Sequence, residues 1–229
     1  KDEESLGQLV RCSHGCYDAA KAFKTPFISG KDSLNNQFTT ESGETICIPS
    51  TLLISGFGMI DDIATCVTMD AKSSGNKLVL VGETKSEMGG SHLLMIEPSS
   101  SCNTQLPTVS LVDGPLNARA VHKAIQAGLV TSAHDCSEGG VLLAVAEMAF
   151  GGELGVELQL DDESLCFSET PSRYILEVQQ DKLDQLQQLL GDIHYEVIGT
   201  FNESNNVTLG ESTWAIEDLR QAWTEGMVI

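Results

Sequence analysis

The chain has 229 residues, 41% of them hydrophobic, and a mean hydropathy of −0.03, which is typical of a globular protein with one large domain or two small ones. Acidic residues outnumber basic residues by 33 to 13, and the resulting net charge of −20 repels phosphate backbones, which argues against nucleic acid as a partner. No apolar run reaches the roughly 18 residues that a membrane helix needs and the N-terminus is no signal peptide, so we expect a cytoplasmic chain with no membrane partner.

The first third of the chain is predicted to contain one long helix followed by short strands and loops. Apolar residues recur at helical spacing over residues 5–23, and the Thr-Pro pair at 25–26 ends this helix. Residues 27–28 form a predicted strand that leads into a polar loop at 29–33. Residues 49–58 are predicted as a buried strand that continues into a Gly-rich bend.

From residue 77 onward, strands mix with helices, which predicts an α+β fold. The predicted strands lie at 77–83, 91–96, 129–133, 155–160, 172–178 and 194–201, and the predicted helices at 115–127, 141–150, 183–190 and 219–223. The polar segment 72–76 is the best candidate for a linker. We therefore expect two domains, residues 1–70 and residues 75–229.

The junction between the strand at 129–133 and the helix at 141–150 carries the most informative polar residues. Asp135 follows the strand, and the hydroxyl of Ser137 comes two residues later, ahead of the glycine pair at 139–140. Free N–H groups and the dipole at a helix N-terminus favour anions, and Asp135 could hold a divalent cation against a phosphate. An N-capping residue with a tight glycine turn explains the same pattern equally well.

The loop at 29–33 offers a second set of groups suited to a phosphate. Gly30 permits close approach of the backbone, Lys31 supplies positive charge, Asp32 supplies a carboxylate for Mg²⁺, and Ser33 supplies a hydroxyl. The GxxxxGK[ST] pattern of a P-loop is absent from the sequence. A turn with a solvated lysine is the alternative interpretation.

A third polar cluster, residues 167–173, lies just ahead of a predicted strand. Its Glu169 and Arg173 could form a structural ion pair, or they could face a ligand. From these residues alone, we interpret the cluster as structural.

Together, in this order and spacing, the three clusters closely resemble the phosphoribosylformylglycinamidine synthases, a family within the aminoimidazole ribonucleotide synthetase superfamily. The matching runs are TPFISGKDSLNN at 25–36, GGSH at 89–92, HDCSEGG at 134–140, AEMAF at 146–150 and FSETPSR at 167–173. The resemblance implies an ATP-dependent ligase of purine biosynthesis that converts the amide of formylglycinamide ribonucleotide into an amidine. ATP and Mg²⁺ are the implied cofactors, and the implied nitrogen source is ammonia released from glutamine.

The resemblance also implies an architecture. Family members have two tandem halves, each with an N-terminal and a C-terminal domain, and the N-terminal domains pair into a barrel-like core with two nucleotide sites. This chain resembles the end of the second half. Residues 1–70 would be the back part of its N-terminal, barrel-forming domain, and residues 75–229 would be the whole C-terminal domain.

In the family, the main catalytic histidine belongs to the first half, so we expect no catalytic residue in this fragment. The expected partners are the first half of the same enzyme, a glutaminase subunit or domain, and the small ribonucleotide substrate. The sequence begins without an initiator Met, as expected of a processed chain or of a fragment. Two alternatives stay open: a non-catalytic module that stabilises the core and docks partners, or another synthetase of the superfamily.

Carried over residue by residue, the resemblance implies ATP contacts from Gly30, Lys31 and Ser137 and a substrate contact from Ser33. Asp135 corresponds to a Mg²⁺ ligand of the auxiliary nucleotide site in the large family members. The ligand-facing candidates of the third cluster are Glu169, Thr170 and Arg173.

The sequence departs from the family pattern at residues 31–32. Many small members have Asn-Val there, and that Asn is a Mg²⁺ ligand. A protonated lysine cannot bind Mg²⁺. Either Asp32 takes over the metal, or Lys31 replaces the metal's charge.

Overall fold

The structure, a computed structural model, describes residues 3–33, 36–99, 101–160 and 162–226. The chain separates into two compact units, Lys1–Asp61 and Asp62–Ile229. The predicted division into 1–70 and 75–229 stays a prediction. Among the described residues, no helix has both the length and the apolar character needed to cross a bilayer.

The first unit contains one helix and one small hairpin. Helix α1 (Glu3–Phe23) confirms the predicted helix. Strands β1 (Gln37–Thr39) and β2 (Thr45–Cys47) pair antiparallel around a turn. The strands predicted at 27–28 and 49–58 are wrong, because these segments have no regular secondary structure.

Those two strand predictions fail for a common physical reason. A strand needs a neighbour to accept its backbone hydrogen bonds and a core to cover its apolar face. In the described part of this unit no residue is buried, and Leu53 and Phe57 are 89% and 85% exposed. The sequence therefore has the apolar residues of a strand, but the described part of this unit provides no surface that buries them.

The second unit is built on a seven-stranded sheet with the strand order β4-β6-β3-β7-β5-β8-β9. Its strands are β3 (Lys77–Val81), β4 (Ser132–Asp135), β5 (Gly155–Leu158), β6 (Tyr174–Val178), β7 (Tyr195–Asn202), β8 (Asn206–Leu209) and β9 (Ser212–Ala215). Neighbouring strands are antiparallel except β5 and β8, which are parallel. The helices are α2 (His92–Ile96), α3 (Asp113–Gln126), α4 (Gly140–Gly152), α5 (Leu183–Leu190) and α6 (Ile216–Glu225).

Helices cover both faces of this sheet, so its central strands are buried on both sides. On β3, Leu78 and Leu80 belong to the core shared with α4 and α6, whereas Val79 and Val81 belong to the core shared with α3 and α5. This explains why β3 is a continuous apolar run and not an alternating one. Burial of each such side chain contributes about 1.5–3 kcal/mol. The predicted α+β fold is confirmed.

Two further details differ from the sequence prediction. Residues 91–96 form α2 and not a strand, because Ser91 caps a helix there by accepting a hydrogen bond from the Leu94 N–H at 3.4 Å. Strands β8 and β9 were not predicted. Each has only four residues, and in β8 only Val207 and Leu209 are buried, which leaves a weak pattern.

The predicted linker at 72–76 is fixed to the sheet by the fully buried carboxylate of Glu177 on β6. Oε1 of Glu177 accepts hydrogen bonds from the Ser73 N–H at 3.0 Å and from Nδ2 of Asn76 at 2.7 Å. Oε2 accepts from the Lys72 N–H at 2.9 Å and from the Ser132 hydroxyl at 2.6 Å. This carboxylate is therefore surrounded by uncharged donors.

Candidate functional site

The loop between β4 and α4 brings together the polar residues of the motif at 134–140. Asp135 is the last residue of β4, and its side chain is 59% exposed. The helix begins at Gly140, where φ is +68° and an added Cβ would lie 2.4 Å from the carbonyl oxygen of Ser168. The backbone at this position therefore requires glycine.

Asp135 and Ser137 are in direct contact. The Ser137 hydroxyl donates a hydrogen bond to Oδ2 of Asp135. Together with the backbone and the neighbouring His134, this bond holds the pKa of the Asp135 carboxyl below its ordinary value, against the opposing effect of burial. Asp135 therefore presents an ionised carboxylate at the surface at neutral pH.

The N-terminus of α4 already binds an anion, which is the chain's own Glu169. Oε1 of Glu169 accepts hydrogen bonds from the N–H groups of Gly139 and His92, both at 2.9 Å, and lies 3.1 Å from Nδ1 of His92. Burial acts to raise the pKa of the Glu169 carboxyl, but these donors outweigh it and hold that pKa below its ordinary value. A phosphate at the Gly139 N–H would have to displace this carboxylate.

We expect Glu169→Gln to lower the free energy of unfolding by about 1–2 kcal/mol at about pH 7, because a charged acceptor makes stronger hydrogen bonds than a neutral one. The folded pKa of Glu169 lies below its unfolded value. The stabilisation is therefore complete above the ordinary glutamate pKa and is lost as the pH falls through the folded pKa.

Urea unfolding of wild type and variant from about pH 7 down to about pH 3 measures this difference. Glu138→Gln changes an exposed carboxylate in the same loop and serves as the control. A wild-type-to-variant difference that stays constant over this range would contradict the prediction.

Arg173 and Thr170 take part in a buried network at the start of β6. Arg173 is 1% exposed, and it donates to the carbonyl oxygen of Thr170 at 2.9 Å, to Oγ1 of Thr84 at 2.9 Å and to the carbonyl oxygen of Ser168. Burial lowers the pKa of its guanidinium. The suggested ion pair between Arg173 and Glu169 does not form, since Glu169 is directed to Gly139 and His92.

Thr170 also lines a cavity of about 360 Å³ beside the start of α3. The cavity is lined by Gly82, Glu83, Lys85, Thr108, Ser110, Asp113, Gly114, Leu116, Asn117, Thr170, Pro171, Ser172, Asp192, Ile193 and His194. Asp135, Ser137 and Glu169 do not line it, so this cavity and the β4–α4 loop are separate features of the second unit.

The loop at 29–33 lies in the first unit, and all its residues are exposed. Nζ of Lys31 donates to the carbonyl oxygen of Asp32 at 2.8 Å and to the Ser33 hydroxyl. A Cβ added at Gly30 would meet open space. Within this unit, Lys31, Asp32 and Ser33 are thus brought together. Residues 34–35 of the same motif lie outside the described residues.

The donor set fits Mg²⁺ that arrives with a nucleotide better than a free metal ion. In the described parts of the chain, no three His, Cys, Asp or Glu side chains form a group that could hold a metal. Asp135 offers one ionised carboxylate, and Asp32 offers another in the first unit. Mg²⁺ at nucleotide sites retains several waters and takes one or two carboxylates together with phosphate oxygens.

Sequence reasoning assigned no role to two histidines that contact the site. His92 donates its backbone N–H to Glu169, and Nδ1 of His134 lies 3.2 Å from Oδ1 of Asp135. The one available signal was position, because His134 directly precedes Asp135 and His92 follows the capping Ser91. The contact of His92 with Glu169 crosses 77 residues of sequence and depends on tertiary structure.

The family described as "AIR synthase related protein, C-terminal domain" matches residues 73–211. Two curated relatives carry the name phosphoribosylformylglycinamidine synthase subunit PurL. The Pelagibacter ubique protein is 29% identical over 98% of this chain and 31% of its own length, and the Lactobacillus helveticus protein is 32% identical over 99% and 30%. The chain thus spans about 30% of the length of these relatives.

Solved structures with a similar fold include PurL from Thermotoga maritima. Its complex with FGAR has a TM-score of 0.60 and 17% identity, covering 69% of this chain and 30% of that one. Its complex with ATP has a TM-score of 0.52 and 18% identity, covering 68% and 27%. At these identities the likeness establishes the fold.

Proposed function

This chain belongs to the AIR synthase related family through its C-terminal domain, and from that premise we propose that it is part of a phosphoribosylformylglycinamidine synthase. One observation carries the proposal: relatives of that name align with 98% and 99% of this chain. Because it spans about 30% of their length, we propose that it forms the end of the second half of the enzyme and acts in the cytoplasm.

In the proposed reaction, the terminal phosphoryl group of ATP is transferred to the amide oxygen of formylglycinamide ribonucleotide. The resulting iminophosphate is a good electrophile with phosphate as its leaving group. Ammonia from glutamine then displaces phosphate and gives the amidine, with ADP as the other product. The Thermotoga maritima relative was solved with FGAR and with ATP, which supports this choice of substrates.

The residues of this chain have binding roles in the proposal. Gly30, Lys31 and Ser137 contact ATP, and Ser33 contacts the ribonucleotide. The ammonium of Lys31 neutralises charge on the phosphoryl group during transfer. The remaining ligand-facing candidates are Glu169, Thr170 and Arg173, of which Arg173 already has three oxygen acceptors within the protein.

Two carboxylates are proposed for the metal. Asp135 would hold Mg²⁺ at the auxiliary nucleotide site, and Asp32 would hold it near the loop at 29–33. When bound, Mg²⁺ neutralises phosphate charge and orients the phosphate oxygens. The ionised, exposed carboxylate of Asp135 supports its assignment.

The proposed partners are the first half of the enzyme and a glutaminase subunit or domain. The first unit exposes large apolar side chains, among them Ile28 and Met59, which are the kind of surface that a protein interface covers. A Thermotoga maritima relative solved as PurLQS has a TM-score of 0.55 and 17% identity to this chain. The name PurLQS supports assembly of PurL-type chains with other subunits.

A second candidate is a non-catalytic module of the same enzyme that stabilises the core and docks partners. The carboxylate of Glu169 supports it, because this anion already occupies the N–H groups where a reacting phosphate could bind. The names of the two relatives favour this module as part of the same enzyme over another synthetase of the superfamily.

We expect the 229-residue chain alone to show no turnover of formylglycinamide ribonucleotide with ATP and ammonia, since the first half would supply the catalytic histidine. The full-length protein that carries this sequence is expected to be active in the same assay of phosphate release. Turnover by the chain alone would refute the fragment proposal, and an inactive full-length protein would refute the proposed reaction.

In the full-length protein, Asp135→Asn is expected to reduce the nucleotide retained with Mg²⁺ by about tenfold or more, because an amide is a far weaker Mg²⁺ ligand than a carboxylate. Bound nucleotide per protein after gel filtration measures this effect. Thermal melts without nucleotide are the control, because Asp135 does not cap helix α4, whose N-cap is Gly139 with no side-chain cap hydrogen bond, so the substitution removes no helix cap. Unchanged retention, or a loss explained by lower apo-protein stability, would leave Asp135 as a structural residue.

A further inference from the structure

A chain of polar contacts connects helix α6 to Asp135. The indole Nε1–H of Trp223 on α6 donates to Oε1 of Glu147 on α4 at 3.2 Å. Oε2 of Glu147 lies 2.7 Å from Nε2 of His134, and Nδ1 of the same ring lies 3.2 Å from Oδ1 of Asp135. These contacts cross three separate elements of the second unit and end at the proposed metal ligand.

Neighbouring groups hold the side chains of His134 and Asp135 in place. The His134 side chain is 16% exposed, and both of its ring nitrogens face a carboxylate, which fixes the plane of the ring. One oxygen of Asp135 faces His134, and the other accepts from Ser137. With both oxygens contacted, the carboxylate of Asp135 has little freedom to rotate.

Packing of α6 against α4 does not depend on these polar contacts. The rings of Phe150 and Trp223 have centroids 5.9 Å apart, and Nη2 of Arg220 donates to the carbonyl oxygen of Phe150 at 2.6 Å. Ile216 and the partly buried Leu219 join the apolar core shared with α4. Glu147 and His134 are thus not needed to dock the helix.

We infer that His134 and Glu147 are positioning residues for the carboxylate of Asp135, and that Trp223 couples that carboxylate to the docking of α6. The inference deepens the proposed function and rests on it, because it requires Asp135 to face Mg²⁺ bound to a nucleotide. A carboxylate held in place before the metal arrives loses less conformational freedom on binding. Partners that orient a metal ligand commonly change metal affinity by about 10–100-fold.

The test is the affinity of the full-length protein for ADP, measured by calorimetry with Mg²⁺ and again with EDTA. The ratio of the two affinities isolates the contribution of the metal. Glu147→Leu is expected to lower this ratio about tenfold. Trp223→Phe keeps the aromatic contact with Phe150 but removes the N–H donor, and it is expected to lower the ratio about two- to fivefold.

Trp214→Phe, on β9 and outside this chain of contacts, is the matched control and is expected to leave the ratio unchanged. A merely structural role of Glu147 and Trp223 would lower the affinities with and without Mg²⁺ alike, and that result would overturn the inference. Unchanged ratios in both variants, while Asp135→Asn lowers the ratio, would also overturn it and leave the proposed function intact. An unchanged ratio in Asp135→Asn would instead reject Asp135 as a metal ligand, and the inference with it.

Discussion

Replacement of Glu177 by alanine is expected to lower the free energy of unfolding of the second unit by about 3–5 kcal/mol. The substitution removes the acceptor for the N–H groups of Lys72 and Ser73, the Asn76 amide and the Ser132 hydroxyl. Asn76 and Ser132 are buried, so their donors cannot turn to water in the folded protein. Urea unfolding monitored by circular dichroism measures the loss.

Two further variants make this result specific. Glu177→Gln retains one acceptor oxygen and turns an amide NH₂ towards the donors, so we expect an intermediate loss of about 2–3 kcal/mol. Glu157→Ala changes an exposed carboxylate on strand β5 of the same sheet and should stay within about 0.5 kcal/mol of wild type. If Glu177→Ala and Glu157→Ala lowered the free energy of unfolding equally, the hydrogen bonds that Glu177 accepts would not be a specific source of stability.

We expect Gly140→Ala to lower the free energy of unfolding by about 3 kcal/mol or more. The new methyl group would lie 2.4 Å from the carbonyl oxygen of Ser168 and 2.8 Å from that of Cys166, and both are backbone atoms that cannot rotate away. The left-handed backbone at φ +68° adds the penalty that any side chain has there.

Gly128→Ala separates these two contributions. Gly128 has nearly the same φ, +67°, but an added Cβ would meet open space. In this control, the free energy of unfolding is therefore expected to fall only by the penalty for a side chain on a left-handed backbone, about 1–2 kcal/mol. Thermal or urea unfolding of both variants gives the difference, and equal losses would mean that the loop at Ser168 moves freely and does not confine Gly140.

Local periodicity was sufficient to predict the elements whose own residues decide their conformation. Helix α1, strand β3 and helix α5 lie where their apolar spacing indicates. The pattern failed where the conformation depends on contacts with residues that are distant in sequence. The pattern at residues 49–58 indicates a buried strand, yet nothing in the described part of the first unit covers Leu53 or Phe57. Short strands such as β8 depend on pairing with β5, which is not visible in four residues.

The candidate site was predictable only over short distances. Asp135 and Ser137, which the sequence assigns to one polar cluster, are two residues apart and are hydrogen-bonded. Glu169 reaches Gly139 across 30 residues, and Trp223 reaches Glu147 across 76. The suggested pairing of Glu169 with Arg173 is wrong, because the guanidinium donates to two carbonyl oxygens of its own loop and to the hydroxyl of the distant Thr84. Spacing along the sequence does not indicate which residues these side chains contact.

The order of strands in the sheet has a consequence for biosynthesis. Among the strands of the seven-stranded sheet, β3 leaves the ribosome first, but it pairs with β6 and β7, so that Lys77 meets Thr200 across 123 residues. At about 5–20 residues per second, translation of the 101 residues from Lys77 to its β6 partner Val178 takes about 5–20 s, during which the apolar strand has neither of its partner strands. Such distant pairing also slows folding after release. Any chain truncated ahead of β6 would carry this strand unpaired, and it should be recovered in inclusion bodies or bound to chaperones.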